Sequence, residues 1–225
     1  MDGTPSTWPR RALLTALLSA AGCAALAVLW HTVPAWQRLD AAWLERIRTH
    51  TPDALATILE VVGHGGSPFV AIPLAAGLAI YLWHRRQQTR ALLWVVAFFS
   101  GQGAVFALKL GVDRVRPSAP GLLERAFSFP SGHAFTAVLL YGGIALLSKP
   151  SGPRRMRGLA VLLAGGLALA IGWSRLVLRV HYPTDVLGGW ALGTTWLALL
   201  WAALQHWPPT GASGRPANSS TRSPR

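Results

Sequence analysis

The sequence predicts an all-α, polytopic membrane protein: six transmembrane helices in a bundle, with an amphipathic helical segment at the interface. Three observations predict it. Hydrophobic residues make up 52% of the 225 residues and charged ones only 13%, too few to give a soluble core of that size its polar surface. The apolar residues come in long blocks. The basic residues sit in short clusters between those blocks, as loop charges do at a bilayer. A formal charge of +13 would also suit a nucleic-acid binder, but such a protein gathers its cations on one face. No nucleic-acid partner is therefore expected.

The elements follow in order. Residues 1–11 form a short N-terminal segment. Residues 12–207 form one membrane domain, and residues 208–225, rich in Pro, Gly, Ser and Arg, form a disordered basic tail. Within the domain six apolar blocks stand out, at 12–30, 68–83, 91–108, 133–148, 158–173 and 184–207. A bilayer core takes about 20 helical residues, with a range of about 17–25. The fourth and fifth blocks are at the short end, yet polar or basic turns bound both, so each is read as a span. The segment 34–62 interleaves Trp36, Leu39, Trp43, Leu44 and Ile47 with Arg38, Asp40, Glu45, Arg46 and Arg48. That pattern fits helix lying at the interface, broken at Thr51-Pro52. Residues 63–68, Gly-His-Gly-Gly-Ser-Pro, make a turn before the second span.

Loop charge sets the orientation. The N-terminus, the 84–90 and 149–157 loops and the tail together carry twelve Lys and Arg. The other side carries nine, three of them in the motifs described below. Both termini are therefore expected in the cytoplasm of a cell whose inner, or plasma, membrane holds the protein, with the opposite loops on the periplasmic or extracellular face. Two local patterns read as chance. Ala20-Ala21-Gly22-Cys23 resembles a lipoprotein cleavage site, but no polar mature start follows, so Cys23 is a small apolar residue within a span. Asn218-Ser219-Ser220 fits a glycosylation acceptor on the expected cytoplasmic side. One cysteine excludes an internal disulfide and a cysteine metal cluster.

Three polar segments lie at span ends on the non-cytoplasmic side. Lys109 closes the third span, and Arg116-Pro117 follows. Pro130-Ser131-Gly132-His133 opens the fourth. Ser174-Arg175 closes the fifth, with His181 and Asp185 beyond it. Lys109, Arg116 and Arg175 are the cation set that a phosphate dianion wants, although any one alone would pass for a snorkelling interface residue. Ser131 is a natural N-cap, and the helix it opens offers an anion its positive end. Gly132 leaves room for close approach. His181 and Asp185 are four apart and can meet across a helical turn. A carboxylate holding one ring nitrogen leaves the other nucleophilic; a structural His–Asp capping pair is the plainer alternative.

Lys109-x6-Arg116-Pro117, then Pro130-Ser131-Gly132-His133, then Ser174-Arg175-x5-His181-x3-Asp185 resembles the three-part signature of the type 2 phosphatidic acid phosphatase superfamily, residue for residue. The signature spans 109–185, and the six-span layout resembles the family's membrane branch. That branch includes lipid phosphate phosphatases, undecaprenyl pyrophosphate phosphatases and phosphatidylglycerophosphate phosphatases. The resemblance implies that His181 is the nucleophile and becomes phosphohistidine, with Asp185 orienting it. It implies that His133 is the general acid and then the base that activates water. Lys109, Arg116, Arg175, Ser131 and Gly132 would hold the phosphate oxygens. No metal and no cofactor is implied, and Asp113, Glu124 and Asp185 are too scattered to form a magnesium site. The expected partners are membrane lipids and a lipid phosphate or pyrophosphate substrate, with undecaprenyl pyrophosphate first; phosphatidylglycerophosphate, phosphatidate and diacylglycerol pyrophosphate stay open. So do transfer to an acceptor other than water, non-catalytic lipid binding and vanadate-dependent halide oxidation; the six spans count against the last. Glu60, His64 and Tyr182 are candidate walls or packing residues, and Arg114 and Arg179 candidate attractors of anionic head groups.

Overall fold

In a computed structural model, residues 8–117, 127–148 and 154–207 are described, and they form eight α-helices. These are α1 (Trp8–Thr32), α2 (Pro34–His50), α3 (Asp53–Gly63), α4 (Pro68–His84), α5 (Gln88–Val112), α6 (Gly132–Leu147), α7 (Arg154–Val177) and α8 (Pro183–His206). A 3-10 turn, His64–Gly66, joins α3 to α4. The tail and the Asn218 pattern lie outside the described residues.

Each of the six apolar blocks falls on a helix. Four of these helices, α1, α5, α7 and α8, are long and apolar enough to cross a membrane. The other two are shorter. α4 has 17 residues and meets α3 at a 46° bend. α6 has 16 residues, which at about 1.5 Å per residue is some 24 Å against a core of about 30 Å. The surface confirms a protein made for lipid. Leu17, Leu18, Phe106 and Leu162 are each more than 60% exposed, an arrangement that water would penalise and hydrocarbon does not. The segment 34–62 is helical and breaks at Thr51-Pro52, because proline disfavours helix in the residue before it.

The core lies between α4, α5, α6 and α8 and is built on Trp94, Phe98, Phe135, Leu139 and Leu140. The Trp94 indole donates to the Ala75 carbonyl at 2.9 Å, which satisfies its one polar atom in the apolar interior. One glycine matters to the site. A Cβ on Gly189 would stand 2.5 Å from the Ser131 carbonyl oxygen. Only glycine lets α8 press so closely on the start of α6. The N-terminal ends of α6 and α8 therefore meet, and with them the polar segments they carry.

Candidate active site

Four chain segments converge where α5 and α7 end and α6 and α8 begin. α5 stops at Asp113, which takes the left-handed conformation (φ 48°) as its C-cap; aspartate tolerates that region better than most residues. The chain then leaves α5 with Arg114 and Arg116. It returns at Phe127, whose carbonyl accepts a hydrogen bond from Lys109 Nζ at 2.6 Å. The Ser128 amide donates to the Arg114 carbonyl at 2.6 Å. Ser131 caps α6, its Oγ accepting from the Ala134 amide at 3.5 Å, and its own amide donates to the Asp185 carbonyl at 2.9 Å. The third segment ends α7 with Ser174 and Arg175, and the fourth opens α8 with Pro183 in its first turn.

His181 is 2% exposed, with Nδ1 3.5 Å from Asp185 Oδ2 and 3.4 Å from Ser128 Oγ. Burial pulls this histidine below its ordinary range, and Asp185 opposes the shift. Burial thus favours the neutral ring, with Nδ1 directed at the carboxylate. Asp185 also accepts from Ser128 Oγ, from the Tyr182 amide at 2.7 Å and from Arg114 Nη1 at 2.7 Å. The capping contact and the histidine contact of Asp185 coexist on one oxygen, since Oδ2 both accepts from the Tyr182 amide and faces His181 Nδ1, while Oδ1 is held by Arg114.

His133 is half-buried on the first turn of α6 and lies within electrostatic reach of Arg175, His181, Arg116 and Lys109. Arg116 also repels both Lys109 and Arg175. Gathering like charges is costly unless an anion joins them. Arg175 has its own access device. A Cβ on Gly63 would lie 1.8 Å from Arg175 Nη2, so the α3 end leaves a gap through which the guanidinium passes. All eight residues singled out in the sequence are thus brought to one end of the bundle.

Sequence reading missed a second layer. Arg114 is not a surface attractor of head groups: it is 1% exposed. Nη1 donates to Thr184 Oγ1 at 2.6 Å and to Asp185, and Nη2 donates to Asp40 Oδ2 at 2.6 Å. Its guanidinium carbon lies 4.8 Å from the Trp30 ring centre and 4.1 Å from that of Tyr182. Tyr182 is therefore a stacking partner of Arg114. Asp40, read as part of an interfacial polar face, is 3% exposed and also accepts from the Thr184 amide at 3.0 Å and from its hydroxyl. Removing one member of such a buried ion pair typically costs about 3–5 kcal/mol. The missed signal is periodic: Asp40, Leu44 and Ile47 recur on one helix face, and Asp40 and Leu44 are both buried. Arg179 is exposed and 3.7 Å from Glu45. His64 and Glu60 are exposed, and His64 Nδ1 lies 2.9 Å from the Glu60 carbonyl.

Residues 88–208 match the model of the PAP2 superfamily, over half of the chain. The chain belongs to the PAP2 superfamily. Among PAP2 and related proteins, it is 33% identical to phosphatidylglycerophosphatase B of Bacillus subtilis over 142 residues, 62% of this chain and 70% of that protein. It is 31% identical to an undecaprenyl-diphosphatase of Sulfolobus acidocaldarius over 150 residues, 64% of this chain and 68% of that one. The fold is similar to the crystal structure of a transmembrane PAP2-type phosphatidylglycerolphosphate phosphatase from Bacillus subtilis, with a TM-score of 0.75 and 28% identity. That match covers 91% of this chain and 99% of the other.

Proposed function

We propose that this PAP2 protein is an integral membrane phosphatase that hydrolyses the phosphate or pyrophosphate of a lipid-linked substrate through a phosphohistidine. One observation carries the reading: a buried histidine, with Nδ1 beside a carboxylate and its neutral form favoured by burial, lies within electrostatic reach of Lys109 and Arg116. In the first step the His181 Nε2 lone pair attacks phosphorus. The bond to the leaving oxygen breaks, and His133 delivers the proton to that oxygen. In the second step His133 takes a proton from water, the water oxygen bonds to phosphorus, and the P–Nε2 bond breaks. Lys109, Arg116, Arg175 and the Ser131–Gly132 helix start stabilise the equatorial oxygens throughout. The incoming dianion also brings the negative charge that a protonated His133 needs beside it. These cations supply the charge neutralisation, so the mechanism routes no step through a metal ion.

The site stands at helix ends beside lipid-facing apolar helices, so a lipid can keep its tail in the bilayer while its phosphate enters the pocket. We place it on the periplasmic or extracellular face of a six-span domain at 12–207, both termini cytoplasmic, on the basic bias of the loops. Undecaprenyl pyrophosphate is the substrate we put first, which the similarity to an undecaprenyl-diphosphatase supports. Phosphatidylglycerophosphate is the second reading, favoured by the likeness to the Bacillus subtilis phosphatase over 91% of this chain. Purified protein assayed on both lipids separates the two. With labelled substrate, the parent should form a brief acid-labile, alkali-stable phosphoprotein that His181→Ala cannot form. Substantial turnover by His181→Ala would overturn the mechanism.

A further inference from the structure

We propose that Asp40 on α2 and Arg114 are positioning residues that hold Asp185, and through it His181, in the reactive geometry; this rests on His181 being the nucleophile. The argument starts from burial. Two carboxylates and a guanidinium are each at most 3% exposed, at a desolvation cost that a purely structural contact could avoid with apolar side chains. Their geometry gives that cost a use. Arg114 Nη1 holds Asp185 Oδ1, which fixes the rotation of the carboxylate and leaves Oδ2 turned toward His181 Nδ1. The other prong, Nη2, is held by Asp40 Oδ2, so the guanidinium cannot swing away. The guanidinium also lies over the Trp30 and Tyr182 rings. Asp40 Oδ1 meanwhile accepts from the Thr184 amide at 3.0 Å, which ties α2 to the first turn of α8, the turn that carries Asp185.

The relay thus runs from α2 through Arg114 and Asp185 to the His181 ring. None of the bridging atoms faces the phosphate, since both guanidinium prongs are engaged and the group is shut from solvent. The fork matters as much as the charge. A lysine at 114 would keep the cation but could not span two carboxylates in one plane. Asparagine at 40 would keep an acceptor for the Thr184 amide but lose the charge that anchors Nη2.

The test uses the full chain in detergent, with dioleoyl phosphatidate as the assay probe. Asp40→Asn and Arg114→Lys are compared with the parent for kcat, KM and monodispersity. Positioning partners behind a reacting group typically contribute about 10–100-fold. Each variant should lose about that factor in kcat with KM changed less than about twofold. His181 should also change its tautomer. In ¹⁵N-histidine spectra, assigned with His181→Ala, the parent should show the Nδ1–H form, and both variants should show a growing share of Nε2–H. A monodisperse variant with parental kcat and an unchanged His181 signal would overturn the proposal. So would a loss confined to KM. If neither variant is monodisperse, the pair holds the bundle together and the positioning role is withdrawn. A parent inactive on phosphatidate and on both lipids named above would count against the phosphatase reading instead, and the tautomer measurement still decides the role of the pair.

Discussion

Gly63→Ala moves one proposed phosphate ligand without touching it. The alanine Cβ would stand 1.8 Å from Arg175 Nη2 and 2.6 Å from Ser174 Oγ, whereas ordinary contact begins at 3.4 Å. The guanidinium must therefore retreat by about 1.6 Å, and the serine hydroxyl must give as well. The guanidinium is the far end of a flexible side chain, and Gly63 has helical backbone angles that alanine accepts (φ −58°). The cost in stability should be modest, about 1 kcal/mol. The cost in rate should not be. Misplacing a positioning group by an ångström can cost about 10²-fold, so kcat/KM should fall by about 10–100-fold, or about 1.4–2.7 kcal/mol of transition-state stabilisation. Phosphate release from lipid in micelles measures the rate, and a thermal melt measures the stability. Gly22→Ala is the control, because its Cβ meets nothing within 4 Å. A folded Gly63→Ala variant with kcat/KM within about twofold of the parent would show that Arg175 does not need its observed place.

Three more predictions follow. If His133 is the general acid, His133→Ala should lose most, approaching about 10²–10⁴-fold, on phosphatidate, whose alkoxide leaves badly, and clearly less on a pyrophosphate or an aryl phosphate. An equal loss on all three with no burst of phosphoenzyme would refute the acid role. Because burial holds His181 of the free protein below its ordinary value, its neutral ring persists as pH falls, and the acid limb of kcat/KM, which reports the free enzyme, should lie below about pH 6.5; a limb above that value would contradict its role as nucleophile. With Cys23 replaced, a cysteine at Thr49 should react with an impermeant thiol reagent from outside intact cells and one at His84 should not, and the opposite pattern would put the site in the cytoplasm.

The helices were legible because their signals are local. A bilayer span is a long apolar run, so each of the six blocks lies on a helix within a few residues at either end. Thr51-Pro52 breaks the amphipathic segment at the expected place. The site was legible for the same reason: Ser131 is an N-cap, Pro183 sits in a first turn, and a spacing of four joins His181 to Asp185. What stayed hidden depends on tertiary contact. Arg114 lies two residues before Arg116 and is equally basic in sequence, yet one is sealed between Asp40 and Asp185 and the other is half-exposed among the cations. Nothing local distinguishes them, because the partner of Arg114 comes from a helix some seventy residues upstream. Asp40 gave a clue through its register with Leu44, but a lone acidic residue in a helix rich in charge is ordinarily a solvated one. The span count is limited for a related reason. α4 and α6 are short in themselves, and a short helix crosses a bilayer only with help from tilt, neighbours or local thinning, none of which composition encodes.

The two layers of the site should divide the work of catalysis. Arg116 repels both Lys109 and Arg175 in the free protein, and a bound dianion would relieve that repulsion. Substrate and product phosphate share the relief, and an interaction equal in ground state and transition state lowers KM without speeding the chemical step. The cations contribute to rate only so far as they fit the equatorial oxygens better at the moment of transfer than before it. The inner layer is different. On the proposed mechanism, Asp185 would gain most when His181 turns from a neutral ring into a phosphorylated, positively charged one, because the N–H it holds would then become a stronger donor. Arg114 and Asp40 keep that carboxylate turned toward the ring and touch no phosphate oxygen. Disturbing the outer layer, as Gly63→Ala does, should therefore divide its loss between KM and kcat. Disturbing the inner layer should be felt in kcat alone.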